Sequence, residues 1–289
     1  MKKILAVSGG IDSMVMLDIF LKRFSAEEIV VATFDHGARE SSKTDADFVE
    51  KYVKLSEVCS ALKIRFYRGE APKTQKISEE KARALRYDFL RKIAFRERGE
   101  IFTAHHLDDL VETVAINFIR GTGIRGLAPL SSPGIRRPFI DGFLDEWFDK
   151  KKILRYATVN DVVFRQDPTN TTDEYLRNRI RARLSELDIE TKLAIYELWK
   201  KQRELLKEID TITENVVPED LRISRESLRR ADKRVALEIL REATRRAGVA
   251  ATRPQLEDFW EAICEYAPGK KFNLPGDKLA RINKNDFWL

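Results

Sequence analysis

Up to about residue 120 the chain alternates short apolar runs with stretches whose apolar residues recur at intervals of three and four. Residues 3–7 (KILAV) read as a buried strand, and residues 13–24 carry Val15, Met16, Ile19 and Phe20 at helical spacing. EIVVATF (28–34) is strand-like, residues 44–62 are an amphipathic helix, and KIRFYRG (63–69) is a short strand. Residues 78–99 predict a helix, with Glu79 and Glu80 in the first turn, where carboxylates oppose the positive end of the helix dipole. EIFTAHH (100–106) is a strand running into another helix. Strands alternating with helices predict an α/β fold: a parallel sheet with helices on both faces.

Beyond residue 120 the pattern changes. Residues 120–139 (RGTGIRGLAPLSSPGIRRPF) are rich in Gly, Pro and Ser and long for a loop, which marks them as functional. Helical periodicity dominates from residue 189 and again over 227–247, while the tail 269–289 (GKKFNLPGDKLARINKNDFWL) alternates apolar and polar residues as short strands do. The chain therefore divides into residues 1–187 and a smaller, mainly helical domain, 188–289.

Composition narrows the classes. The chain has 289 residues and a formal net charge of +6, a modest excess compatible with a polyanionic partner. Cys59 and Cys264 lie far apart with no CxxC pair, which argues against a cysteine metal site or a disulfide framework and fits a reducing cytoplasm. No long apolar stretch precedes the first glycines, so neither a signal peptide nor a membrane span is expected.

The first candidate chemistry is Ser8-Gly9-Gly10-Ile11-Asp12-Ser13, between the first strand and the first helix. A helix N-terminus directs backbone N–H groups and the positive dipole end at an anion. Gly9 and Gly10 permit close approach, and Ser8 and Ser13 add hydroxyls. The plainer reading is a tight turn capped by Asp12 or Ser13. The lysine of the GxxxxGK[ST] loop is missing. An aspartate in a phosphate site needs a cation, so Asp12 points to Mg²⁺ or to proton transfer.

His36, in FDHGAR at the end of the second strand, is either a surface histidine or part of the same site. In TAHHLDDLVETV (103–114), a helical period of ~100° per residue places His105, Asp108, Asp109 and Glu112 within one arc, opposite Leu107, Leu110, Val111, Val114 and Phe118. Such a face is either solvated or a seat for Mg²⁺ or an amine. Arg83 and Arg86 share a helix face, and Arg177, Asn178, Arg179, Arg181 and Arg183 crowd one segment, a pattern that fits phosphate contacts with RNA. A third basic group, between Arg225 and Arg246, suggests a further polyanion-facing surface.

SGGIDS, DHGAR, SEEKARALRY, AHHLDDLVET, RGTGIRGL and DPTNTTDEYLRNRIR occur in this order, and together they resemble the tRNA(Ile)-lysidine synthetases, N-type ATP-pyrophosphatases. The resemblance covers roughly residues 2–185 strongly and the remainder more weakly. It departs at Ala38, where the family has a bulkier residue, and at Leu110, where glutamine is common, and it implies a short form without a second C-terminal domain.

The resemblance implies a Rossmann-like ATP-pyrophosphatase fold and a cytoplasmic ligase. ATP, with Mg²⁺, would adenylate the C2 oxygen of cytidine 34 in the CAU anticodon of tRNA(Ile), and L-lysine would then displace AMP at C2. It further implies that Ser8, Gly9, Gly10, Ile11, Asp12, Ser13 and His36 bind ATP, that Asp12 is a metal ligand, and that Asp12, His105, Arg83 and Arg86 are catalytic. Asp109 and Glu112 would bind lysine, and Arg177, Asn178, Arg179 and Arg181 would bind tRNA. A tRNA thiolase of the same fold and a non-catalytic RNA-binding relative are the rival readings.

Overall fold

The computed structural model describes the chain except residues 36–39, 56–58, 60, 73–78, 166–174 and 185, and the side chains of residues 40–42, 79 and 175–178. Two compact units part between Lys200 and Lys201.

In the first unit, β1 (Lys2–Ala6), β2 (Ile29–Asp35), β3 (Arg65–Glu70), β4 (Gly99–Thr103) and β5 (Ile135–Arg136) form one sheet in the order β3-β2-β1-β4-β5. Every pairing is parallel, with Leu5 opposite Val31 on one side and Phe102 on the other. Strand alternation sends Leu5, Val31 and Phe102 to one face. There they pack with Met16, Leu17 and Phe20 of α1 (Ile11–Arg23) and Val49 of α2 (Glu40–Leu55). Ile4, Val30 and Ile101 point to the other face, under Tyr87, Leu90 and Ile93 of α3 (Glu79–Glu97). Cover on both sides explains why β2 reads as an unbroken apolar run.

The chain leaves β1 toward β2 and β3, then returns to the opposite side of β1 as β4. The gap between the C-terminal ends of β1 and β4 is thus the topological switch point, where open α/β sheets bind ligands. The β1–α1 loop opens there, and so does α4 (Leu107–Ile119), which follows β4. The Gly- and Pro-rich segment after α4 holds a 3-10 turn at Ile124–Leu127 and then β5, which adds the last strand to the sheet. It is followed by α5 (Lys150–Val159) and α6 (Tyr175–Leu184).

The two compact units divide inside α7 (Ile189–Val216), and that has a local cause. The first turns of α7 are tied to the first unit: buried Trp199 donates its indole N–H to Pro129 O at 2.8 Å, and Lys192 reaches Asp108 at 2.6 Å.

The second unit pairs helices with a sheet. α8 (Arg225–Arg230), α9 (Lys233–Arg246) and α10 (Arg253–Glu265) cover one face of an antiparallel sheet. Its strands β6 (Arg222–Ser224), β7 (Lys270–Leu274), β8 (Lys278–Ile282) and β9 (Asp286–Trp288) run in the order β6-β9-β8-β7. The alternating tail supplies three of these strands, and β6 is a fourth. Ile223, Ala280, Ile282 and Phe287 face the helices.

Most arginines between 225 and 246 serve this fold. Arg225 is buried and donates to the carbonyls of Ile263, Tyr266 and Asn283. Arg245 and Arg246 both clamp buried Glu242 at 2.7 Å, and Arg229 donates to Cys264 O. Arg230, Arg234 and Arg241 pair with Glu226, Asp232 and Glu238. Several of these arginines are therefore internal ties, while Arg230, Arg234 and Arg245 remain exposed beside their acids.

Candidate active site

The loop after β1 turns through Gly9 at φ +88°, a conformation that favours glycine, and a Cβ there would lie 3.2 Å from the Phe48 ring of α2. Gly10 caps α1 with extended backbone. Ser13 Oγ accepts from Ser8 N–H at 3.1 Å, donates to Gly10 O at 2.9 Å and lies 3.2 Å from Ser8 Oγ. From far along the chain, Arg165 N–H donates to Gly9 O at 2.9 Å. The loop is thus fixed from both sides, and the first-turn N–H groups of α1, which have no intrahelical acceptor, face the switch point. Beside it Ala6, Ala32, Phe34 and Leu90 line a pocket together with the polar groups of Ser8, Thr33, Asp45 and Arg86.

A lysine reaches the loop from far along the chain. Lys150 opens α5, and its Nζ lies 2.6 Å from Asp12 Oδ1. Across the switch point, α4 begins at Leu107 with His106 as its cap, and His106 N–H donates to Asp109 Oδ2 at 3.0 Å. The His106 ring sits among three carboxylates: Nε2 is 3.7 Å from Asp12 and 3.5 Å from Asp109, and Nδ1 is 3.6 Å from Asp108. Among the described residues the buried Nδ1 has no hydrogen-bond partner.

Asp108 acts as a tie between elements. Its Oδ2 accepts from Lys150 N–H at 2.7 Å and its Oδ1 from buried Lys192 at 2.6 Å. Burial pushes the Asp108 carboxyl up, but the bonds from Lys192 and Lys150 outweigh it and hold the group below its ordinary value. A carboxyl depressed in the folded state stabilises fully above its unfolded value of ~3.9, and that stability is lost as pH falls through the folded value. Lys192→Met is expected to cost about 2 kcal/mol at neutral pH, because breaking a buried pair costs roughly 3–5 and Asp108 is 29% exposed. It should also flatten the acid limb of the stability profile. Urea melts between pH 3 and 7 check this; an unchanged profile would contradict the tie.

Glu112 is buried, not solvated, and accepts from Arg181 Nε of α6 at 3.0 Å. Asp109 shares the first turn of α4 with Asp108 and faces His106. His105 precedes the helix and so leaves the arc that helical periodicity assigned it; its Nδ1 lies 2.9 Å from Thr103 Oγ1. Arg83 and Arg86 each lie 5.1 Å from the Tyr87 ring centroid. Burial lowers Arg86 from its ordinary value, and its Nε is buried with no partner among the described residues. Arg179 is exposed on α6. His36 and the side chains of Arg177 and Asn178 lie outside the described residues.

Burial, with Arg137, Arg83 and Arg86 nearby, pushes the His105 imidazole down to about 3. It is therefore neutral at working pH, a hydrogen-bonding group and not a cation. As pH drops below the unfolded value of ~6.5 the unfolded chain takes up a proton that the folded chain refuses, so this group's contribution falls toward acid. In a pH-dependent NMR series the His105 ring signals are expected to stay fixed between pH 5 and 8; a midpoint near 6.5 would refute the assignment.

Lys150, Lys192 and His106 were not singled out from the sequence. Only the run of lysines after Asp149, which caps α5, hinted at the first.

A doubly wound α/β sheet with a fixed Gly–Ser loop at its switch point, an aspartate on that loop and carboxylates on the opposing helix make a candidate site for an anionic ligand. Residues 1–187 match the family model of the PP-loop domain, and the chain belongs to that family. Among curated proteins it is similar to the tRNA(Ile)-lysidine synthase of Enterococcus faecalis, 36% identical over 186 residues, which are 62% of this chain and 38% of that protein. The tRNA(Ile)-lysidine synthase of Thermotoga maritima is 40% identical over 206 residues, 68% of this chain and 48% of that protein. The chain thus spans less than half the length of these relatives. Among solved structures, a U34-tRNA thiolase from Methanococcus maripaludis shares the fold, with a TM-score of 0.54 and 18% identity over 71% of this chain and 72% of that one. Among the described residues no helix is long and apolar enough to cross a membrane.

Proposed function

We propose that the chain is an ATP-dependent ligase that joins L-lysine to C2 of cytidine 34 in the CAU anticodon of tRNA(Ile), a reading supported by curated relatives named tRNA(Ile)-lysidine synthase. The observation that carries this reading is the meeting, at one switch point, of the Ser8–Ser13 loop with the His106, Asp109 and Glu112 side of α4. One side suits a triphosphate and the other an ammonium.

In the first step the cytidine O2 attacks the α-phosphorus of ATP and the bond to the β-phosphate breaks, releasing pyrophosphate. In the second, the lysine ε-amine adds at C2, the C–O bond breaks and AMP leaves. The amine must lose its proton to a base or to water. The α1 N-terminus and the Ser8 and Ser13 hydroxyls hold the phosphates. The pocket between Ala6, Ala32 and Phe34 takes the adenine, and Arg86 supplies a cation beside it. Asp109 and Glu112 receive the amines of lysine, and Arg177, Asn178, Arg179 and Arg181 serve the RNA. The first unit, extended by the start of α7, carries the chemistry, and the second unit contacts RNA.

Asp12 is the residue that would hold Mg²⁺ arriving on the phosphates, and the ion would screen charge on the departing pyrophosphate. The described residues form no group of three or more ready ligands. That suits Mg²⁺ bound by one carboxylate plus substrate oxygens.

The test is transfer of labelled lysine to a CAU-anticodon transcript of tRNA(Ile), with AMP and pyrophosphate measured together. Lysine, AMP and pyrophosphate in equal amounts are expected; ATP turnover without lysine in the RNA would reject the reading. Nothing in the site favours thiolation, since Cys59 lies in the apolar core and Cys264 on α10.

A further inference from the structure

The outward face of the second unit's sheet carries a row of side chains in register across all four strands. Lys271 pairs with Arg281, Arg281 with Trp288, and Trp288 with Arg222. Cross-strand partners share a face, and strands lie ~4.8 Å apart, so the row runs for roughly 14 Å. Asn273 and Leu279, paired beside it, are also exposed. The Arg222 guanidinium lies 5.1 Å from the Trp288 ring centroid and 3.6 Å from Asp286, the acid of this face. Among the described residues neither Lys271 nor Arg281 meets a carboxylate.

An exposed antiparallel face of alternating polar residues is ordinary, but this one sets a partly exposed indole between two arginines, with Arg281 and the next residue in the row, Lys271, meeting no carboxylate among the described residues. Within the unit, the arginines of α8 and α9 are bonded to carbonyls or acids, whereas Lys271 and Arg281 in this row meet no carboxylate among the described residues.

We propose that this face binds a single-stranded stretch of RNA, with Trp288 stacking on a base and Lys271 and Arg281 meeting the flanking phosphates. An aromatic ring on a sheet, flanked by cations, is a platform that unpaired bases fit and a stacked duplex does not. The proposal rests on the ligase reading only for the RNA being a tRNA.

The experiment uses the full chain, a labelled unstructured RNA of about ten nucleotides, the same strand in duplex, and the CAU tRNA transcript. The single strand is expected to bind more tightly than the duplex. Trp288→Ala should weaken it by about five-fold or more, with Trp288→Phe restoring most of the loss. Lys271→Ala with Arg281→Ala, at exposed positions, should lower the salt slope by about 1.4, or 0.7 for each lost single-strand phosphate contact. Wild-type affinity and slope in the double variant, or equal binding of duplex and single strand, would overturn the proposal. Failure of lysine transfer by the wild type, with single-strand binding intact, would instead reject the ligase reading alone.

Discussion

Asp12→Ala is expected to reduce pyrophosphate release from ATP by at least about 100-fold, the scale of losing one group that stabilises charge in a transition state. The carboxylate stands on the loop that opens α1, within 2.6 Å of the Lys150 ammonium and 3.7 Å of the His106 ring. Lys150 balances it in the free protein, and on the proposed reading the carboxylate would hold a metal riding on the phosphates. Losing the carboxylate removes that anchor and leaves Lys150 unbalanced. Asp12→Asn keeps the shape and should fail almost as badly, which separates charge from packing. Affinity for tRNA should stay within a few-fold in both variants, because it arises from cations elsewhere. ATP–pyrophosphate exchange alongside filter binding tests both halves. Wild-type AMP formation by Asp12→Ala would remove this residue from the chemistry.

Glu112→Gln carries the second large effect, a rise in the lysine KM of about 100-fold or more. Glu112 is 7% exposed against 32% for Asp109. An ammonium held by a buried carboxylate loses roughly 3–5 kcal/mol when that charge goes. A half-solvated carboxylate is screened, so Asp109→Asn should raise KM less, by about ten-fold or below. Pyrophosphate release without lysine should persist in both, since neither residue lies on the phosphate loop. Glu112 also holds Arg181, so thermal melts must accompany the kinetics. An unchanged lysine KM in a folded Glu112→Gln protein would place the amine elsewhere.

The sequence by itself determined the sheet, the loop and the acid helix. An apolar run followed by SGGIDS leaves little choice but a buried strand turning sharply into a helix, and the two periodicities named parallel strands with helices between them. It also placed Asp109 and Glu112 on one side of α4. It did not decide where that helix starts. The start at Leu107 is set by the His106 cap and its bond to Asp109, and it sends His106, not His105, among the carboxylates. Periodicity repeats every three or four residues and cannot resolve such an offset. Tertiary structure alone brought Lys150 to Asp12 and Lys192 to Asp108, across separations of 138 and 84 residues. It also showed that Glu112 is buried, because burial belongs to what packs over a face. And it separated cations such as Arg225 and Arg246, bonded to buried carbonyls and a glutamate, from Lys271 and Arg281 on an open sheet. Charge along a chain says how many arginines there are; only the fold says which have already found a partner.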